Sequence, residues 1–117
     1  MARSLEVLGD RWTLLALREI FYGNSRFQVI VAKTGAPRDI LTNRLARLVE
    51  AGLLQRNPYN AAGTRFEYEL TAKGLAVQPI LVALGEFGET VLPDSLGPDA
   101  HWRDFTPSVS EAIAGDQ

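Results

Sequence analysis

Residues 37–54 read PRDILTNRLARLVEAGLL. A proline opens the stretch, and a glycine stops it just before two leucines. Between them, Ile40, Leu41, Leu45, Leu48 and Val49 group on one side of a helical wheel that advances about 100° per residue. Asp39, Asn43, Ala46 and Glu50 lie opposite, flanked by Thr42 and Arg47. The apolar side is a core-facing stripe. The polar side has two readings. It is either a solvated surface on which Asp39, Asn43 and Arg47 tie the helix to itself, or a face that reads a partner.

The flanking segments bear on that choice. Upstream, SRFQVIVAKTG predicts a short helix with Phe27, Ile30 and Val31 inward and Gly35 as its stop. Ser25 and Gln28 have the spacing of a capping box. Two short helices joined by a tight glycine-containing turn form a helix-turn-helix. Further upstream, Gly9 ends a first short helix around Leu5, Val7 and Leu8, and Asp10 is a good N-cap for RWTLLALREIFYG. That helix is apolar at 12, 14, 15, 16, 17, 20 and 21, too broadly for a surface helix, so it is expected at the centre of the fold.

Downstream of Gly52 the period becomes two. LLQRNPY and RFEYEL read as strands, with Phe66, Tyr68 and Leu70 alternating against Arg65, Glu67 and Glu69. The turn formers NAAG lie between them, and Pro58 marks an edge or loop margin. This hairpin directly after the second helix is a wing. Thr71 then caps a long helix running to about Glu89, with Leu70 and Leu75 placed as a hydrophobic staple and Pro79 expected to kink it. Its surplus of apolar residues implies a partner surface. The segment after Pro93 is rich in Pro, Gly, Ser and Asp, but Trp102 and Phe105 offer another cover for that helix, and TPSVSEAIAG suits one short helix.

The fold class is therefore mainly α with a small β-hairpin: a winged helix-turn-helix with a long C-terminal dimerisation helix. Residues 1–92 are expected to form one domain that holds the helix-turn-helix, the wing and the long last helix. Residues 93–117 are expected to form an acidic tail, partly ordered or docked on the dimer.

Charge follows the same division. The 117-residue chain has a formal net charge of −2, yet residues 1–74 hold 11 Lys/Arg against 7 Asp/Glu, and residues 75–117 hold one against 7. A basic body with an acidic end points to a polyanion partner. No cysteine is present, which excludes thiol chemistry for this sequence. No apolar run reaches the roughly 18 residues of a membrane span, and no signal peptide opens the chain, so a cytoplasmic location without membrane contact is expected. Catalysis finds no support. His101 is the sole histidine and lies in the tail, and phosphate-loop and metal-ligand patterns are missing. No cofactor is expected.

The stretches LEVLGDRWTLLALREIFYG, SRFQVIVAKTGAPRDILTNRLARLVEAGLL and FEYELTAKG, followed by a long helix ending in ALGEFG, resemble an HxlR-type winged helix-turn-helix transcriptional regulator over roughly residues 3–90. The resemblance implies a bacterial DNA-binding homodimer joined through its first and last helices, with residues 1–92 as the DNA-binding and dimerisation domain. Many members of that family carry a cysteine near the first helix, and this chain does not.

With that placement the polar face turns towards a DNA groove, where the first turns of the second helix touch bases. Asn43 suits adenine N6 and N7, Thr42 or Ala46 a thymine methyl, and Asp39 cytosine N4. Arg38 suits a phosphate or a base edge, and Arg47 a phosphate. Arg44, on the flank, reads better as one half of a structural ion pair. In the wing, Arg56, Asn60, Thr64 and Arg65 are candidate contacts, Arg65 having a cross-strand glutamate pair as its alternative. Arg26 and the amides behind Ser25 form a candidate phosphate site at a helix N-terminus. Trp12, Phe21, Tyr22 and Phe87 are candidates for a small-molecule effector pocket, with plain core packing as the alternative. The leading expectation is a sequence-specific regulator, a repressor, bound as a homodimer to double-stranded DNA at a pseudo-palindromic operator. The competing one is a protein-interaction module without DNA binding.

Overall fold

A computed structural model describes residues 1–92; the readings placed on the tail, including its short helix and its aromatic residues, lie outside them. The chain runs α1 (Ala2–Leu8), α2 (Arg11–Phe21), α3 (Phe27–Thr34), α4 (Arg38–Glu50), β1 (Leu54–Pro58), β2 (Phe66–Leu70), a 3₁₀ turn (Gly74–Val77) and α5 (Gln78–Val91). This is the winged helix-turn-helix order.

Helix α2 occupies the centre and packs against α3, α4, β2 and α5. Its Ala16, Leu17, Ile20 and Phe21 are fully buried, and they meet Ile30 of α3, the Leu41, Leu45 and Leu48 stripe of α4, and Leu70 of β2. Each buried Leu, Ile or Phe among them contributes about 1.5–3 kcal/mol relative to leaving it exposed. Buried among them is a charge. Glu19 accepts from Arg18 Nε at 3.0 Å and from Asn24 Nδ2 at 3.0 Å.

Helices α2 and α4 end alike. In α4 the Leu53 N–H donates to the Leu48 carbonyl and the Gly52 N–H to that of Val49, both at 3.0 Å, with Gly52 at φ +82°. This is a Schellman cap, and the left-handed residue it requires costs glycine nothing. The cap turns the chain directly into β1.

Asp10 does more than cap α2. Its Oδ2 accepts from the Thr13 N–H at 3.0 Å, the Thr13 hydroxyl at 3.2 Å and Arg44 Nε at 3.0 Å. The Arg44 ion pair expected from the sequence is thus present, and its partner lies 34 residues away. Burial raises the Asp10 pKa, but the Thr13 and Arg44 hydrogen bonds and the Arg44 charge outweigh it, so the net shift is below the ordinary 3.8.

The hairpin pairs β1 with β2 antiparallel, from Leu54 opposite Leu70 to Pro58 opposite Phe66. Pro58 ends the edge strand, as expected. On the other side of β2, Arg26 bridges Glu67, and the Tyr68 N–H donates to the Ser25 carbonyl at 2.7 Å.

That bridge corrects the reading of Ser25 and Gln28. Arg26, not Ser25, is the N-cap of α3, and it makes no side-chain cap. Residues 25 and 26 are drawn out as a third strand-like edge, which places Ser25 too early to cap the helix. A second correction concerns Pro79, which does not kink a long helix. It sits in the first turn of α5, where its missing N–H costs no helical bond. Thr71 caps the 3₁₀ turn instead: the Gly74 N–H donates to its Oγ1 at 3.0 Å, and that hydroxyl donates to the Gly52 carbonyl at 2.6 Å.

Two outcomes follow. A Cβ at Gly74 would lie 2.1 Å from the Leu53 carbonyl oxygen, a backbone atom that cannot swing aside. Gly74→Ala is expected to cost about 1–3 kcal/mol in denaturant unfolding. Asp10→Ala is expected to cost about 0.5–2 kcal/mol near neutral pH through the lost cap. Because the folded pKa of Asp10 is depressed, this advantage is present above about pH 4 and is lost as pH falls through the folded pKa. Melting curves of wild type and variant should stay apart above about pH 4 and draw together as pH falls from there through the folded pKa.

Candidate nucleic-acid interface

The outward face of α4 carries Arg38, Asp39, Thr42, Asn43, Ala46 and Arg47, all exposed. The opposite stripe is fully buried against α2, so the rotation of the helix is fixed and these side chains have nowhere to go but outward. Asp39 lies in the first turn, where its charge also suits the helix dipole. The Thr42 hydroxyl donates to the Arg38 carbonyl at 2.8 Å. That bond occupies the hydroxyl's proton within the helix. Asn43 Oδ1 accepts from Arg44 Nη1 at 2.7 Å.

The wing closes over one flank of this helix. Between them lies a cleft of about 350 Å³ whose lining includes Arg38, Thr42, Arg56, Thr64 and Arg65. Five of the expected contacts, drawn from α4 and both sides of the hairpin, therefore converge. Arg47 does not join them. It lines a separate groove of about 280 Å³ with Glu6, Asp10 and Glu50, on the α1 side.

Two of the three arginines of the cleft, and Arg26 beside it, rest on aromatic rings. Arg56 lies 4.2 Å from the Phe66 ring centre, Arg38 5.7 Å from that of Phe27, and Arg26 4.2 Å from that of Tyr59. Such stacking attracts the cation through the ring quadrupole while its N–H edges stay available. Arg26 also lies 4.0 Å from Glu67, a long and partly exposed ion pair, so it is held on the margin of the cleft. Burial pushes the Tyr68 phenol up from 10.0, and the hydrogen-bonded Arg56 offsets this only in part, so the phenol stays neutral beside the guanidinium.

The wing tip is ordered by Asn60. Its Oδ1 accepts from the Thr64 and Arg65 N–H groups at 3.0 and 3.1 Å, and its Nδ2 donates to the Thr64 hydroxyl at 3.0 Å. Asn60 and Thr64 thus shape the loop as well as face solvent. Arg65 lies before the paired residues of β2, and its carbonyl accepts from the Tyr59 N–H, so it has no glutamate directly across the ladder. The sequence alone does not mark the aromatic supports, Tyr59 above all. Its only signal was an aromatic residue at a strand end.

The four residues offered as an effector pocket occupy different surroundings. Phe21 is fully buried in the core, while Phe87 on α5 is 54% exposed. Trp12 and Tyr22 are half-buried, with the guanidiniums of Arg11 and Arg18 at 4.2 and 6.0 Å from their ring centres. Among the described residues, no group of three or more His, Cys, Asp and Glu could hold a metal, and no helix is long and apolar enough to cross a membrane.

Comparison with known proteins agrees with this architecture. An HTH-type transcriptional regulator of Mycobacterium tuberculosis strain H37Rv is 42% identical over 106 residues, covering 91% of this chain and 67% of the relative. One from Synechocystis is 38% identical over 85 residues, covering 72% of this chain and 63% of the relative. Among solved structures, the candidate transcription factor PA1607 superposes with a TM-score of 0.71 at 40% identity. The match covers 84% of this chain and 66% of that one, so the chain spans a little under two thirds of that protein. The redox regulator HypR in its reduced form superposes with a TM-score of 0.69 at 26% identity, over 80% of this chain and 96% of that one. The HxlR-like helix-turn-helix family matches residues 7–95, and the chain belongs to that family of transcriptional regulators.

Proposed function

We propose that this protein is a sequence-specific DNA-binding repressor that acts as a homodimer on a pseudo-palindromic operator. The observation that carries the reading is the cleft between α4 and the wing. There, cations from both elements converge beside a helix whose outward face is made of short polar side chains. In this reading α4 enters the major groove, with Asp39, Thr42, Asn43 and Ala46 at base edges. Arg38, Arg56 and Arg65 grip the phosphates that run between helix and wing, and Arg47 and Arg26 hold the backbone on the two outer margins.

The dimer is proposed from α5. Ile80, Leu84, Phe87 and Val91 recur at spacings of four, three and four, which places them on one stripe, and each is 41–57% exposed. Leu5 of α1 is also exposed, at 58%. A second copy packing on these residues would remove them from water and set two α4 helices about one DNA turn apart.

Selection from a randomised duplex pool should enrich a site with twofold symmetry. On that site Asn43→Ala is expected to cost about 1–3 kcal/mol and to relax preference at one position per half-site. Arg65→Ala is expected to weaken binding to every sequence and to reduce the slope of log K against log salt by about 0.9 per subunit. Unchanged binding by both variants would sink the assignment of the interface. Leu84→Glu with Phe87→Glu is expected to halve the mass seen by sedimentation equilibrium; an unchanged mass would remove α5 from the interface.

A further inference from the structure

The geometry points to Arg44 as a positioning residue that sets the amide orientation of Asn43, and through it the base preference of α4. This inference rests on the DNA-reading function proposed above. Adjacent residues on a helix do not ordinarily face each other, since neighbours on the helix surface are three or four apart. Arg44 nevertheless reaches Asn43, because its guanidinium is held elsewhere. Nε donates to Asp10 Oδ2 at 3.0 Å, and Nη1 then donates to Asn43 Oδ1 at 2.7 Å. Asp10 is itself fixed by the N–H and hydroxyl of Thr13. A chain of hydrogen bonds thus runs from the first turn of the central helix to an exposed amide on the reading face.

The chemistry of arginine gives this chain its consequence. A guanidinium only donates, so the group facing it must be the carbonyl end of the Asn43 amide. An unheld amide can present either end by turning about its last torsion. Held by Arg44, it presents Nδ2 outward as a donor, with the second lone pair of Oδ1 still able to accept. That is the pattern that complements N7 and N6 of adenine. The contact is charge-assisted and therefore stronger than a neutral pair, and the guanidinium is fixed before DNA arrives.

A purely structural Arg44 would clamp α4 to α2 and do nothing else. The two roles separate in a specificity measurement. The base pair read by Asn43 is first located as the position where Asn43→Ala flattens preference. Affinities for all four base pairs at that position are then measured for wild type, Arg44→Met, Arg44→Lys and Arg44→Met with Asn43→Ala. Thermal melts establish that each variant is folded. Arg44→Met is expected to flatten the preference at that pair at least fivefold and to leave other positions unchanged. In the Asn43→Ala background it should change nothing further there. Arg44→Lys keeps the charge but has a single nitrogen that cannot bond Asp10 and Asn43 in the same fork, so it should flatten the same pair. Its conservative character keeps the test open where Arg44→Met does not fold. An equal loss of affinity across all sequences would overturn the positioning role, as would full wild-type preference in Arg44→Lys. Wild-type protein that shows no base preference at any position would instead overturn the DNA-reading function on which the inference rests.

Discussion

The carboxylate of Asp10 holds three donors at once, two from Thr13 and one from Arg44. Apolar packing between α2 and α4 is strong but non-directional, and it would tolerate small rotations of one helix on the other. Hydrogen bonds do not, because they weaken steeply away from alignment. The buried leucines of α4 decide which of its residues face outward, and the bond to Arg44 adds a directional tie between α4 and the start of α2. The same bond leaves the rest of the guanidinium able to reach Asn43. One carboxylate at a helix cap thereby joins the stability of the central helix to the geometry of the exposed face.

The cleft between α4 and the wing keeps its positive charge by an indirect route. The whole chain is slightly acidic, and an arginine paired with a nearby carboxylate would offer little net charge to a partner. Arg38 and Arg56 are instead placed over the rings of Phe27 and Phe66. A ring orients the guanidinium without neutralising it and without using up its in-plane N–H groups. Asn60 acts similarly on the backbone by holding the wing tip that carries Thr64 and Arg65. Side chains that were each legible as basic become a cleft because aromatic and amide groups pre-order them.

Much of the architecture was legible from local pattern. The leucine stripe of α4, the broad apolar face of α2, the alternation of Phe66, Tyr68 and Leu70 and the caps at Asp10 and Gly52 are all set by residues close in sequence. The failures were also informative. Ser25 matched a capping box, yet its carbonyl is bonded to the Tyr68 N–H of a strand more than 40 positions on. A local motif lost to a non-local backbone pairing. Pro79 interrupts a helix only if that helix starts at Thr71; a 3₁₀ turn intervenes, and the proline falls where helices accept it.

What the sequence determined by itself was the order of elements, the buried faces and the set of exposed polar residues, because periodicity and capping are properties of neighbours along the chain. Packing in three dimensions settled which of those residues meet. It brought Arg38, Thr42, Arg56, Thr64 and Arg65 into one cleft and set Arg47 in another groove. It gave Arg44 its partner 34 residues away and its contact with Asn43. These meetings depend on how helices and hairpin pack in three dimensions, through side chains whose reach and rotamer no local pattern specifies.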